Sequence, residues 1–209
     1  MKTSVKSSKE KGKINRRDFF VKSFGLSAGL ALMAYPGTSA GELTGKVGRS
    51  KEDVIKELNE KVAQFMPKYR SCSMTSFAVL NDYFKLNADM RTIRALMPFS
   101  GGIVRRGETC GAVSGSILAL GLFFESREKD GKVQTGSSLK PGGMFLDRFE
   151  KVLGSTRCRE VIKHKFGRYY DLRKPEDVKL FMEAGKKGQC MQVVQQAVTI
   201  AGEIILEHS

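Results

Sequence analysis

The chain has 209 residues, and its 36 Lys and Arg against 22 Asp and Glu give a formal net charge of +14. It has four cysteines, two histidines and no tryptophan. The sequence has no glycine-rich phosphate-binding motif, c-type haem attachment motif or nucleic-acid-binding module, so nothing in it supports nucleotide, covalent haem or nucleic-acid binding.

The first forty residues predict an export signal. A basic, polar start leads to the string NRRDFFVK at residues 15–22, an apolar run at residues 23–35 and small residues at 38–40. This is the order of a secretory signal, and the arginine pair before two phenylalanines resembles a twin-arginine signal. The apolar run is shorter than the roughly 20 residues that a membrane-spanning helix needs. An uncleaved anchor and a signal for the unfolded-chain route are the alternatives.

We therefore predict export by the twin-arginine (Tat) machinery, cleavage after about Ala40, and a periplasmic or extracytoplasmic protein without a stable membrane anchor. The Tat pathway carries folded proteins, often with a cofactor inserted, which favours a bound group. Residues 41–209 then form one domain, which is long enough to bury a sizeable core without disulfides or a structural metal.

Helix-start signals and apolar spacing predict eight helices in this domain. Residues 50–53 (SKED) resemble a capping box, and Pro175 before two acidic residues is typical of a helix N-terminus. The predicted helices are 50–67, 72–84, 90–97, 110–124, 143–153, 158–165, 175–185 and 189–207. Residues 126–142 are predicted to be a polar loop. Because clear alternating strand patterns are missing, we predict an all-α fold.

Apolar residues at helical spacing predict which faces point inward. The core candidates are Val54, Ile55, Leu58, Val62, Phe65, Phe77, Leu80, Tyr83, Phe84, Val194, Ala197, Val198, Ala201, Ile204 and Ile205. The run CGAVSGSILALGLFF at residues 110–124 is long enough to favour a buried helix over a strand. Its three glycines lower helix propensity but permit close approach of other backbones. We therefore expect a compact bundle around this small-residue helix.

The four cysteines share a position in the predicted helices. They are Cys72, Cys110, Cys158 and Cys190. None belongs to a Cys-x-x-Cys pair, but each falls at or within the first turn of a predicted helix. A helix N-terminus offers partial positive charge and free N–H groups, which stabilise a thiolate and lower its pKa. The placement leaves open a shared metal or redox site, two structural disulfides, or inert buried cysteines.

The string GETCGAVSG at residues 107–115 contains Cys-Gly-Ala-x-x-Gly. This core resembles the signature of the redox-active family named for its C-GCAxxG-C-C pattern, with one cysteine before the motif, one inside it and two after it. Cys72, Cys110, Cys158 and Cys190 occur in that order, and the resemblance covers residues 62–209. A related domain in split-Soret cytochromes resembles an iron–sulfur unit joined to a haem segment; this chain has no haem attachment motif.

The resemblance implies an exported redox-active protein whose four cysteines ligate one iron–sulfur cluster, of the [2Fe-2S] type, for electron transfer with a redox partner. On this hypothesis Gly111, Ala112 and Gly115 let the motif helix approach the cluster and its neighbours, since larger side chains would block it. The loop glycines, Gly101, Gly102 and Gly107, either turn N–H groups toward the cluster sulfurs or serve only the geometry of the turn.

Two other functions stay open at this point. In the first, Cys110 is a low-pKa thiol that attacks disulfides and another cysteine resolves the product. In the second, the chain is a non-catalytic domain held by disulfides or zinc.

Basic residues such as Arg105 and Arg106 form either a solvated face or a docking surface for an acidic redox partner. Nothing in the sequence supports hydrolysis.

Overall fold

The structure is a computed structural model that describes residues 49–125, 136–185 and 188–208, together with the backbone of two short strands, 128–129 and 132–133. The predicted signal at residues 1–40 lies outside the described residues. No helix in the described ranges is long and apolar enough to span a bilayer.

Eight α-helices and one small hairpin make up the described part of the chain. The helices are α1 (Lys51–Tyr69), α2 (Cys72–Phe84), α3 (Met90–Ala95), α4 (Gly111–Glu125), α5 (Leu139–Leu153), α6 (Cys158–Phe166), α7 (Pro175–Ala184) and α8 (Gln189–Glu207). A 3-10 turn, Met97–Phe99, follows α3. The strands β1 (Glu128–Lys129) and β2 (Lys132–Val133) pair antiparallel between α4 and α5. The all-α prediction is confirmed.

Serine side chains cap the first two helices. Ser50 Oγ accepts a hydrogen bond from the Asp53 N–H at 3.1 Å, as the capping box predicted. Ser71 Oγ accepts one from the Met74 N–H at 3.3 Å, so Ser71 caps the N-terminus of α2 directly before Cys72. These bonds satisfy N–H groups that have no partner within the helix.

Two helix boundaries differ from the prediction. Pro67 lies inside the last turn of α1, which continues to Tyr69 and ends at the left-handed residue Arg70. Helix α5 begins at Leu139 instead of 143, with Pro141 in its first turn. A proline is tolerated there because the first N–H groups of a helix have no intrahelical acceptor.

The small-residue helix α4 lies at the centre of the bundle, where it packs against α2, α8 and α5. Most of the predicted inner faces are buried, and Ile55, Phe65 and Phe84 are partly buried against them. The central position of α4 depends on its close approach to α2. A Cβ atom on Gly115 would overlap the Ser73 carbonyl oxygen and Ser76 Oγ, whereas one on Gly121 would meet nothing within 4 Å.

We predict that Gly115→Ala lowers the free energy of unfolding by about 1–3 kcal/mol, because the added methyl group overlaps the α2 backbone. The matched control, Gly121→Ala, lies in the same helix but in open space. It should raise the free energy of unfolding by about 0.5–1 kcal/mol through helix propensity. Urea unfolding followed by circular dichroism measures both; equal stability of the two variants would contradict the close α2–α4 contact.

Candidate functional site

Each cysteine lies at the start of a helix, as the sequence predicted. Cys72 is the first residue of α2, Cys110 directly precedes α4, Cys158 is the first residue of α6, and Cys190 is the second residue of α8. All four are free thiols, so the structure contains neither of the two disulfides considered above.

The four thiols lie near one another. In every one of the six pairs, negative charge on one sulfur raises the pKa of the other thiol. Such an effect requires proximity, because coulombic energy falls with separation and with solvent screening. A Cβ atom on Gly111 would also lie 3.3 Å from Cys72 Sγ, so the first residues of α4 and α2 are in contact. We call this group the four-cysteine site.

Backbone hydrogen bonds hold Cys110 beside Cys158. The Cys110 N–H donates to the Thr156 carbonyl at 2.8 Å, and the Cys158 N–H donates to the Glu108 carbonyl at 2.6 Å. The residues between these bonds form an isolated antiparallel bridge. Two cysteines that are 48 residues apart in the sequence are therefore held together without a disulfide.

The segment before Cys110 adopts an unusual backbone conformation. All five residues from 101 to 105 have positive φ, between 45° and 73°. Glycines adopt this conformation readily, but the β-branched Ile103 and Val104 rarely do. Backbone bonds close the turn, including the Val104 N–H to the Pro98 carbonyl at 2.6 Å. We call residues 100–109 the left-handed loop.

The left-handed loop also contacts sulfur. The Gly101 N–H donates to the Cys72 thiol, whereas the Gly107 N–H donates to the Gly101 carbonyl oxygen at 3.0 Å. The role of the loop glycines toward a cluster stays a prediction. A Cβ atom on Gly102 would lie 2.6 Å from the Cys158 Cβ and 2.6 Å from the Glu108 nitrogen. The loop is thus packed against two of the four cysteines.

Burial dominates the ionisation of the thiols. Cys110 and Cys158 are buried, Cys72 and Cys190 are half-buried, and burial raises the pKa of all four thiols. The pKa of Cys110 rises to about 12, although the Ala112 and Val113 N–H groups donate to its sulfur and oppose the shift. The expectation of lowered pKa values, and of Cys110 as a low-pKa nucleophile, is wrong for the free thiols because desolvation outweighs the helix N-terminus.

The small residues of the motif have separate neighbours. Gly111 faces Cys72 Sγ, and Ala112 is fully buried beside Cys110. Gly115 faces the α2 backbone, so its structural role is helix packing. Their assignment as cofactor-lining residues stays a prediction.

A serine cluster beside Cys72 was missed from the sequence. Ser73 Oγ lies 3.1 Å from Ser71 Oγ and 3.2 Å from Ser100 Oγ, and it donates to the Leu96 carbonyl at 2.8 Å. The cluster ties the start of α2 to the left-handed loop. The Ser-Cys-Ser order at residues 71–73 was a possible signal, but the contribution of Ser100 depends on how the loop folds.

The four thiols of the described chain do not form a ready-made site for one metal ion. Within the described ranges, no three His, Cys, Asp or Glu side chains are arranged to hold one metal ion. The thiols nevertheless influence one another electrostatically in all pairs. The four-cysteine site therefore gathers four soft sulfur donors in one region of the fold.

We predict that Gly102→Ala destabilises the protein by at least about 1 kcal/mol more than Gly154→Ala. Both glycines have similar positive φ, 73° and 78°, so each variant carries a left-handed backbone cost of about 1–2 kcal/mol. Only at position 102 does the new Cβ meet Cys158 and Glu108, and Gly154 has no neighbour within 4 Å. Urea unfolding measures both; equal losses would show that the loop does not pack against Cys158 in this way.

Comparison with known proteins agrees with the motif. The family described as "Putative redox-active protein (C_GCAxxG_C_C)" matches residues 70–204, a span that includes all four cysteines and well over half of the chain. No curated protein and no solved structure matches the chain. On the strength of the family match and of four cysteines brought together in the family's order, the chain belongs to the C_GCAxxG_C_C family of redox-active proteins.

Proposed function

We propose that this protein is an exported electron-transfer protein whose Cys72, Cys110, Cys158 and Cys190 ligate one iron–sulfur cluster of the [2Fe-2S] type. The observation that carries the proposal is the convergence of four free thiols from the starts of four different helices. When bound, such a cluster supplies reversible one-electron oxidation and reduction.

The donor chemistry fits this group. Four cysteine thiolates are the usual complete ligand set of a [2Fe-2S] cluster. Such a centre is anionic, and the positive ends of the helix dipoles at each cysteine would offset part of its charge. Backbone N–H groups already point at two sulfurs, from Gly101 to Cys72 and from Ala112 to Cys110. Hydrogen bonds to sulfur are one of the means by which proteins set a cluster's reduction potential.

The ionisation of the free thiols supports metal ligation over thiol–disulfide chemistry. Raised thiol pKa values disfavour disulfide exchange, since the attacking species there is a thiolate available near neutral pH. Cationic iron would deprotonate the same thiols on binding.

Export is a separate part of the proposal and rests on the string NRRDFFVK at residues 15–22. A protein loaded with its cofactor before crossing the membrane is the kind of cargo that the twin-arginine pathway carries. The protein would then work in the periplasm or outside the cytoplasm, with a redox partner there.

We predict that the protein, purified without oxygen from a host that assembles clusters, is brown and contains about two irons per chain. Cys110→Ser should lose most of the iron and the visible absorption because it removes one ligand. The control, Thr109→Ser, changes the exposed neighbouring residue and should keep both. Iron analysis and visible spectroscopy measure the result.

Other outcomes would point elsewhere. A Cys110→Ser variant with full iron content would remove Cys110 from the ligand set. A colourless protein whose thiols oxidise and reduce reversibly would support the disulfide-exchange alternative, and a colourless protein with one zinc per chain or two stable disulfides would support a non-catalytic domain.

A further inference from the structure

Positive charge is concentrated next to the four-cysteine site. Residues 99–109 and 157–174 together carry nine Lys and Arg against three Asp and Glu. The domain predicted at residues 41–209 has 28 basic and 20 acidic residues, so these two short segments hold most of its net charge.

The two segments form one surface. The Arg159 N–H donates to the Gly107 carbonyl at 3.0 Å, and Arg159 Nη2 donates to the Arg106 carbonyl at 3.1 Å. The Arg159 guanidinium lies 5.5 Å from the centre of the Tyr169 ring. A Cβ atom on Gly101 would lie 3.2 Å from Leu172 Cδ1. We call residues 99–109 and 157–174 together the basic cap.

Part of this charge is already paired and part is free. Arg157, Arg168 and Arg173 each form an ion pair with a carboxylate. Arg105 and Arg106 are exposed, and their side chains form no ion pair with any described residue. These two arginines therefore project charge into solvent from the left-handed loop itself.

Exposed apolar side chains lie beside the two free arginines. Phe99 and Val104 are 39% and 55% exposed, and Met97 of the preceding turn is 49% exposed. An apolar centre with a charged rim is typical of protein–protein interfaces. The Phe99 carbonyl oxygen also lies 3.1 Å from the Cβ position of Gly111, the residue that contacts Cys72 Sγ. The backbone of Phe99 and the Gly101 N–H that donates to the Cys72 thiol thus lie beside the half-buried Cys72.

Charge decides which kind of molecule can cover this surface. Residues 1–48 carry nine Lys and Arg against three Asp and Glu, so that segment has the same sign as the basic cap. A second copy bound through a two-fold axis would bring the basic cap against itself, which is also repulsive. An acidic partner is the occupant with complementary charge.

We propose that the basic cap is the docking surface for a protein partner with an acidic, partly apolar face, and that electrons cross beside Cys72. If the proposed iron–sulfur cluster is bound and reduced, it would supply one electron to a one-electron acceptor in the partner, with no bond made or broken. The electron-transfer part rests on the proposed function, whereas the binding part does not.

The first test is binding of a fluorescently labelled peptide rich in glutamate and leucine. The protein should bind it, with an affinity that falls as salt rises. The double variant Arg105→Glu, Arg106→Glu should bind about tenfold more weakly or worse, because it reverses the free charge. Fluorescence anisotropy measures the affinity and needs no redox activity.

The control is the double variant Lys56→Glu, Lys140→Glu, which changes the net charge by the same amount. Both lysines are exposed and lie near the starts of α1 and α5. The ends of those helices lead toward Cys72 and Cys158, roughly 20 Å away along the helix axes. This control should keep its affinity within about twofold, since distant exposed charges are screened. Val104→Ser should weaken binding without changing its salt dependence.

The second test uses small oxidants of opposite charge on the reduced, cluster-loaded protein. Anionic hexacyanoferrate(III) should oxidise the wild-type protein faster at low salt than at high salt. In the Arg105→Glu, Arg106→Glu variant, oxidation by hexacyanoferrate(III) should be about tenfold slower than in the wild type. Oxidation by cationic hexaammineruthenium(III) should be faster than in the wild type. The Lys56→Glu, Lys140→Glu control should behave as the wild type does in stopped-flow measurements.

The outcomes separate the two proposals. If the affinity for the peptide changes neither with salt nor in the Arg105→Glu, Arg106→Glu variant, the proposed docking surface is wrong. Binding as expected, with neither oxidant reacting, leaves the docking surface standing and contradicts the electron-transfer function. Equal oxidation rates in the variant and the wild type overturn the crossing at Cys72. If circular dichroism shows the double variant unfolded, Arg106→Gln and the wild-type salt dependence decide between the same outcomes.

Discussion

The backbones of α2 and α4 touch where Gly115 faces Ser73 and Ser76, and one helical turn earlier Gly111 faces Cys72. No residue larger than glycine fits at position 115 without moving α2. This close contact places the starts of both helices side by side, and with them Cys72 and Cys110. It also allows α4 to serve as the centre of the bundle, against which α5 and α8 pack. The fold and the four-cysteine site therefore share one constraint.

Two opposing effects act on the thiols that this packing gathers. Helix starts and backbone N–H groups favour a thiolate, whereas burial and neighbouring sulfurs oppose it, and burial wins at all four positions. Burial therefore favours the neutral form of each thiol, and under the proposed function a bound cationic centre would be what favours the thiolates. The helix ends that look like nucleophile positions in the sequence therefore do not lower the pKa values of the free thiols.

The left-handed loop connects the interior of the site to its surface. Its Gly101 N–H bonds the Cys72 sulfur, and its neighbour Gly102 packs against Cys158. The run of positive φ values continues through Val104 and Arg105, which are exposed. The same run of left-handed residues thus contacts two cysteines and places the Arg105 side chain in solvent. Strain stored in such a segment is often associated with function.

The sequence by itself determined the helices, the inner faces of most of them and the position of each cysteine at a helix start, because apolar period and capping residues act locally. The family motif and the order of the four cysteines could also be identified from the sequence, because both are patterns of residues along the chain. Only the tertiary structure decided that the four helix starts meet, since residues 72 and 190 lie on helices whose relative placement no local pattern specifies. It also decided that burial raises the thiol pKa values, that Gly115 faces α2, and that Ser100 joins Ser71 and Ser73. Desolvation and close packing depend on neighbours distant in the chain, and these exist only after the chain has folded.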